Sequence, residues 1–321
     1  MRRSRVLATL PSIVVLAAWL AFPPAIRAEE DLRVTFGHEL ADFNGPVAFG
    51  DAPMALDSAS GEVLVAQGRD VKVFNEFGMQ VFRLRSPYSL ATVLDLAVEP
   101  DGQVITLARD LDAPGDHPRI AVSRHDFRGV PLGEIEITGA PPPFDALLPN
   151  RVFCRENRLI FANTNQLLAI ATRRDGTFER GYDLGRILEI EDDRRDAVEV
   201  TGLDVDRAGN LLLTCAVMFR AFEISPEGKL TASWGQSGSA RGTFGVVSGI
   251  TRDAAGRTYV ADKNRGVVMV FDREYGLLTE FYGEGRRYLG LPSRLLVDSA
   301  GRLYVTQIGS RGVWVLDIRP K

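Results

Sequence analysis

The feature that most constrains the fold is a run of four short predicted strands between Gly249 and Gly283. The strands are Ile250–Asp253, Thr258–Asp262, Val267–Asp272 and Leu277–Tyr282. They are rich in Val, Tyr and Phe, and turn residues separate them, a pattern typical of an antiparallel meander. The turns at 253–256 and 272–276 begin with Asp and end with Gly, as tight turns do. A four-stranded meander has two apolar faces and cannot bury both alone, so this unit requires neighbours of the same kind.

The same unit recurs along the chain and gives six copies. Their predicted first strands are Met54–Asp57, Leu96–Glu99, Val152–Arg155, Leu203–Asp206, Ile250–Asp253 and Leu295–Asp298. The turn after the first strand carries glycine in five copies and Asn157 in the third. In the second copy the residues 109–118 are inserted between its second and third strands. Glycine-punctuated meanders at this spacing predict an all-β, six-bladed β-propeller of four-stranded antiparallel blades.

The sixth copy ends at Lys321 after three strands, and the missing strand is found near the other end of the chain. The segment 32–37 matches the fourth strands that finish at Trp234-Gly235 and Tyr282-Gly283. We therefore predict that the N-terminal strand completes the last blade and closes the ring. Closure removes the exposed edge of an open sheet, and residues 29–321 are expected to form one domain.

The repeat resembles the NHL family of six-bladed propellers. The resemblance depends on Asp253, Gly256, the segment 259–262, Asn264 and Arg265, together with Val270-Phe271-Asp272. It covers residues 29–321 at the level of blades, but only the last three copies are close to the family pattern. The resemblance implies a binding or scaffold role, and it is more specific for the fold than for function.

Residues 1–28 have the pattern of a signal peptide, with three early arginines, an apolar run from Val6 to Phe22 and a small-residue site at Ala28. A retained anchor is the alternative, although the run is short for a membrane span and Pro11 interrupts it. We expect a periplasmic or secreted monomer with no membrane span after cleavage. Removal of residues 1–28 takes away four of the 38 basic residues and none of the 42 acidic ones. The remaining negative charge argues against nucleic acid as a partner.

Cys154 and Cys215 are predicted to be buried and unpaired. Cys154 lies near one end of a first strand, and Cys215 lies at the opposite end of a second strand in the next blade. This offset is on the order of 10 Å, beyond the reach of a disulfide.

The long connections are predicted to share one face of the ring, which we call the long-loop face. It carries the connections between blades and those between second and third strands; the short glycine turns are on the opposite face. Loops on a rigid scaffold commonly carry binding residues, so we expect a protein or peptide partner from the cell envelope on this face. The alternative is that these connections simply tolerate insertions.

Several charged residues are candidate site residues. Asp95, Arg151 and Arg294 take the leading position of a first strand and would place charge at the channel entrance, where they either bind a charged ligand or pair with one another. Asp204 and Arg252 belong to adjacent blades, and we predict an ion pair between them.

A recurrent arginine and a few possible metal ligands complete the candidates. The arginine recurs in the connection between second and third strands and either supports that loop or forms a binding ring: Arg69, Arg220, Arg265 and Arg311. Weak candidates for a zinc or calcium site are His38, His117, Asp95, Asp204 and Asn163. His125 is placed on the opposite face and cannot join His38 and His117.

The sequence favours an exported, non-enzymatic binding or scaffold module without a cofactor. The alternative is a metal-dependent, lactonase-like hydrolase or lyase with calcium or zinc in the central channel. The chain has no haem-attachment motif, phosphate loop or nucleophile elbow.

Overall fold

The computed structural model describes residues 32–46, 50–85, 92–110, 119–285, 287–309 and 312–321. It confirms six four-stranded antiparallel blades in a ring. The predicted signal peptide, His117 and Arg311 lie outside the described residues. The strands that precede the third blade are β1 Leu32–Glu39, β2 Ala41–Asp42, β3 Gly45–Pro46, β4 Met54–Asp57, β5 Glu62–Gln67, β6 Asp70–Phe74, β7 Gln80–Arg85, β8 Thr92–Val98, β9 Val104–Asp110, β10 Arg119–His125 and β11 Pro131–Glu134.

The rest of the ring repeats this arrangement. Its strands are β12 Arg151–Arg155, β13 Arg158–Asn163, β14 Leu168–Arg173, β15 Phe178–Asp183, β16 Gly202–Val205, β17 Leu211–Cys215, β18 Arg220–Ile224, β19 Leu230–Trp234, β20 Val247–Arg252, β21 Thr258–Asp262, β22 Val267–Phe271, β23 Leu277–Phe281, β24 Gly283–Glu284, β25 Arg287–Tyr288, β26 Leu291–Val297, β27 Arg302–Ile308 and β28 Trp314–Pro320. The four-stranded sheets are β4–β7, β8–β11, β12–β15, β16–β19, β20–β23 and β26–β28 with β1. We number the blades one to six in that order.

The N-terminal strand closes the ring, as the sequence predicts. β1 pairs antiparallel with β28, from Leu32 opposite Pro320 to Glu39 opposite Trp314. Leu32 is buried in the apolar cluster between the fifth and sixth blades. Phe36 meets Trp314 edge to face, with 5.3 Å between the ring centroids, so the strand adds aromatic packing as well as hydrogen bonds.

Apolar clusters between neighbouring blades form the core. The cluster between the third and fourth blades joins side chains such as Leu184 and Ile224. Cys154 belongs to the cluster between the second and third blades, and Cys215 belongs to the next one. Both thiols are buried and unpaired, which confirms the prediction. Burial in apolar surroundings raises the pKa of the Cys154 thiol to about 11.

The long connections hold additional short elements. Helix α1 spans Leu184–Ile187, and 3-10 helices span Phe144–Ala146 and Asp192–Ala197. Two hairpins, β2–β3 and β24–β25, lie in the connections of the long-loop face. No helix in the described part of the chain is long and apolar enough to cross a membrane.

Candidate functional site

A central channel of about 530 Å³ lies between the first strands of the six blades. One end lies where the first strands begin, and we call it the channel mouth, lined by Asp51, Asp95, Arg151, Thr201, Ser293 and Arg294. The opposite end, the channel base, is lined by the turns that follow the first strands, including Asp57, Glu156 and Arg207. The structure therefore brings the predicted residues Asp95, Arg151 and Arg294 to the same end of one channel.

Close backbone contacts explain why two leading positions are glycine. A Cβ atom on Gly202 would lie 1.8 Å from the carbonyl oxygen of Ser248, and one on Gly249 would lie 2.2 Å from that of Ser293. These separations are too short for any side chain, so the fourth and fifth blades can place none at these positions. The charged leading residues are consequently on the second, third and sixth blades.

Asp95 and Arg294 form an ion pair between blades that are not neighbours. Arg294 Nη1 lies 3.3 Å from Asp95 Oδ1, so the arginine of the sixth blade reaches past the first blade to the second. The other carboxylate oxygen, Oδ2, accepts a hydrogen bond of 2.9 Å from the backbone N–H of Val152 in the third blade. Asp51 lies beside the pair and accepts a hydrogen bond from the Ser293 hydroxyl.

Asp95 is almost completely buried, with 4% of its surface exposed. Burial raises the pKa of its carboxyl to about 6, although the Arg294 charge and the Val152 N–H both favour the ionised form. The loss of hydration therefore outweighs the ion pair, and Asp95 binds its proton more tightly in the folded protein than in the unfolded chain.

We expect this carboxyl to make stability depend on pH. Because the folded-state pKa exceeds the ordinary aspartate pKa of 3.8, the stabilising contribution is complete below about pH 4 and is lost as pH rises through 6. The difference corresponds to about 2 to 3 kcal/mol. Urea unfolding between pH 4 and pH 8 should show the wild-type protein losing that much stability relative to Asp95→Asn. A difference between the two proteins that is constant with pH would contradict the assignment.

The predicted ion pair between Asp204 and Arg252 is wrong. Asp204 Oδ1 faces Arg155 Nη2 at 3.4 Å, and its other oxygen accepts a 2.7 Å hydrogen bond from the Thr251 hydroxyl. Arg252 instead pairs with Asp206 at 2.9 Å and Glu223 at 2.6 Å, both in the fourth blade. An inter-blade ion pair exists at Arg252, but the acids at the turn and on the third strand of the fourth blade supply it.

The recurrent arginines do not have equivalent contacts. Arg265 donates to both carboxylate oxygens of Glu280 at 3.0 Å and to the Thr243 carbonyl at 2.8 Å, so it ties the loop to its blade. Arg220 is exposed and donates to the Ser233 hydroxyl at 3.4 Å. Arg69 is also exposed.

The possible metal ligands are not brought together. The described residues hold no group of three or more His, Cys, Asp or Glu side chains placed for a metal ion. His38 packs against the Gly78 turn on the outer strand of the ring. Asn163 caps the turn that follows β13 with its own side chain and does not line the channel.

Two parts of the site were not predicted from the sequence. Asp51 contributes to the channel mouth from the connection before the first blade, which has no repeat register, and Ser293 contributes from β26, directly before the leading residue Arg294. Glu99 has a fully buried side chain at the channel base and pairs with Arg124 at 2.9 Å and Arg174 at 2.6 Å. The available signal was Glu99 itself, which stands where four other copies have Asp before the turn.

No family model and no curated protein matches the chain. Among solved structures, virginiamycin B lyase from Staphylococcus aureus is 16% identical, with a TM-score of 0.55 over 90% of this chain and 88% of that one. A protein of unknown function from Bacteroides thetaiotaomicron is 13% identical, with a TM-score of 0.63 over 90% and 76% of the two chains. A gluconolactonase from Xanthomonas campestris is 17% identical, with a TM-score of 0.53 over 90% of each chain. At these identities the comparisons show the propeller fold, and membership of the NHL family stays a prediction.

Proposed function

We propose that the protein is an exported, non-enzymatic binding module that presents its long-loop face and channel mouth to a protein or peptide partner. The observation that carries this proposal is the convergence of Arg151, Arg294 and Asp95 at one end of an open channel. A channel of this volume is in the usual range for ligand sites. The loops around it give a partner additional surface to contact.

The chemistry of the channel favours binding over hydrolysis. Asp95 is paired with Arg294, and Asp204 is engaged by Arg155 and Thr251. Neither carboxylate shares its surroundings with a second and third described ligand that would hold calcium or zinc. A metal-dependent reaction would need at least three such ligands around the ion.

We expect charge reversal at the channel mouth to weaken capture of the partner. The protein is immobilised and incubated with an envelope fraction from its own source, and the retained proteins are quantified by mass spectrometry. Arg151→Glu and Arg294→Glu should each reduce retention of a specific protein about fivefold, since charges at a binding rim contribute on the order of 1 kcal/mol.

Matched controls are available on other surfaces. Arg207→Glu changes the same charge at the channel base, and Arg128→Glu changes it on an exposed outer turn. Both should retain the partner. If the control variants lose it and the mouth variants keep it, the proposed binding face is wrong. Stoichiometric calcium or zinc in the purified protein would instead support the hydrolase or lyase.

A further inference from the structure

Arg294 has fewer hydrogen bonds than Arg252 and Arg265, two other arginines that are buried to a similar degree. Its side chain is 18% exposed, compared with 13% for Arg252 and 14% for Arg265. Arg252 donates to Thr258, Asp206 and Tyr275 at 2.9 to 3.0 Å. Arg265 donates to Glu280 and Thr243 at 2.8 to 3.0 Å. Within the described part of the chain, Arg294 has one side-chain hydrogen bond, of 3.3 Å to Asp95, and a longer ion-pair contact of 3.6 Å with Asp51.

The unused donor of Arg294 is buried. Among the described residues the Nε atom has no hydrogen-bond partner, and the carboxylate oxygen of Asp51 is 3.6 Å away. Charge-assisted hydrogen bonds are normally 2.7 to 2.9 Å long, and a guanidinium commonly offers two parallel donors to one planar anion. A buried donor without a partner costs stability, so the arrangement indicates a site in which an acceptor completes the pair.

The neighbouring acids do not depend on Arg294 for all their hydrogen bonds. Asp95 keeps the N–H of Val152, and Asp51 keeps the hydroxyl of Ser293. Arg294 can therefore bind the carboxylate of a ligand in place of Asp95, while Asp95 and Asp51 each keep a hydrogen-bond donor. Two acids beside one arginine also disfavour a doubly charged phosphate in comparison with a singly charged group.

Below the mouth the channel wall is apolar on four of the six first strands, while Asp204 and Thr251 line the channel at the same depth on the fourth and fifth blades. The next positions of the first strands place Ala55, Ala97, Phe153 and Leu296 along the channel lining. These side chains suit the hydrocarbon part of a ligand whose charged end lies at Arg294.

We propose that the channel mouth binds a carboxylate group that takes the guanidinium of Arg294 from Asp95, with the apolar part of the ligand directed into the channel. This inference builds on the proposed function, because it names the chemical group by which a partner would be recognised. Arg151 lines the same mouth and adds positive charge for an approaching anion.

The first test uses hexanoate and its uncharged analogue hexanamide as probes. Isothermal titration of the intact protein with hexanoate should show saturable binding, whereas hexanamide and inorganic phosphate should bind at least about tenfold more weakly. Arg294→Gln should lower the affinity for hexanoate at least about tenfold, because the charged hydrogen bonds are lost. Arg207→Gln, at the channel base, should leave the affinity unchanged.

A second variant separates displacement from simple charge attraction. If the ligand competes with Asp95 for Arg294, Asp95→Asn should raise the affinity for hexanoate about three- to tenfold, since a like charge beside the ligand has been removed. The Asp95→Asn, Arg294→Gln double variant removes both charges of this ion pair and controls for a folding defect in the single variant. It should also fail to bind. Equal affinities for hexanoate and hexanamide, or binding that survives both Arg294 variants, would overturn the inference.

A comparison of three peptides identifies whether the carboxylate comes from a chain end or from a side chain. A tetrapeptide ending in leucine with a free C-terminus, its C-terminal amide, and an amidated peptide with one internal Asp are compared at equal concentration. Selective binding of the free C-terminus assigns a chain end, and selective binding of the Asp peptide assigns a side chain. Loss of hexanoate and peptide binding with partner capture intact would refute the carboxylate inference alone. Carboxylate binding without partner capture would refute only the proposed protein-binding function.

Discussion

A chain that begins at His38 should lose most of its stability, because β1 is the fourth strand of the sixth blade. Removal of residues 32–37 exposes the edge of β28 over the register from Leu32 to Phe36 and uncovers the cluster that contains Leu32 and Trp314. Burial of an apolar side chain the size of leucine contributes about 1.5 to 3 kcal/mol. Loss of Leu32 and the partly buried Phe36 together is therefore expected to cost about 3 kcal/mol or more, before any loss of backbone pairing.

The control is a chain that begins at Leu32, which keeps β1 and removes only the residues before it. Thermal melts and size-exclusion profiles of the two proteins are compared, because an unpaired edge strand also promotes aggregation. A synthetic peptide of residues 29–40 added to the shorter chain should restore part of the lost melting temperature. If both chains melt within a degree or two of each other, β1 does not close the ring.

The repeat made the fold predictable from the sequence. Strand alternation and glycine turns are local signals, and each copy repeated them at nearly constant spacing, so blade number and ring closure could be derived without any contact information. The same register placed Asp95, Arg151 and Arg294 correctly at one end of the channel. The spacing of the copies was sufficient to locate these residues, because the first strands of a propeller run in the same direction and lie at the same depth along the channel.

Side-chain pairing could not be derived in the same way. Asp204 and Arg252 are on adjacent first strands, but Arg252 has a long side chain and Glu223 lies within 2.6 Å of it from the third strand of the fourth blade. Which acid an arginine reaches depends on strand twist and rotamer, neither of which the repeat spacing encodes. Asp51 was missed for a related reason, since its connection has no counterpart among the copies.

The ion-pair network around Arg252 also provides a quantitative test of the corrected pairing. The side chains of Arg252, Asp206 and Glu223 are 13%, 6% and 14% exposed, so water replaces a missing partner poorly. Arg252→Met should destabilise the protein by about 3 to 5 kcal/mol, because two carboxylates lose their shared cation. Glu223 retains the hydroxyls of Tyr275 and Thr231, whereas Asp206 retains the backbone donors of its own turn.

Double-mutant cycles measured by urea unfolding distinguish the two pairings. Glu223→Gln combined with Arg252→Met should recover part of the loss, with a coupling energy of about 1 to 3 kcal/mol, since the two groups are in contact. Asp204→Asn combined with Arg252→Met should be additive within about 0.5 kcal/mol, because Asp204 is bound to Arg155 and Thr251 instead. Strong coupling to Asp204 with none to Glu223 would reverse the assignment. The Asp204–Arg252 pair predicted from the sequence would then be right, and the contacts assigned here to Arg252 between the fourth and fifth blades would be wrong.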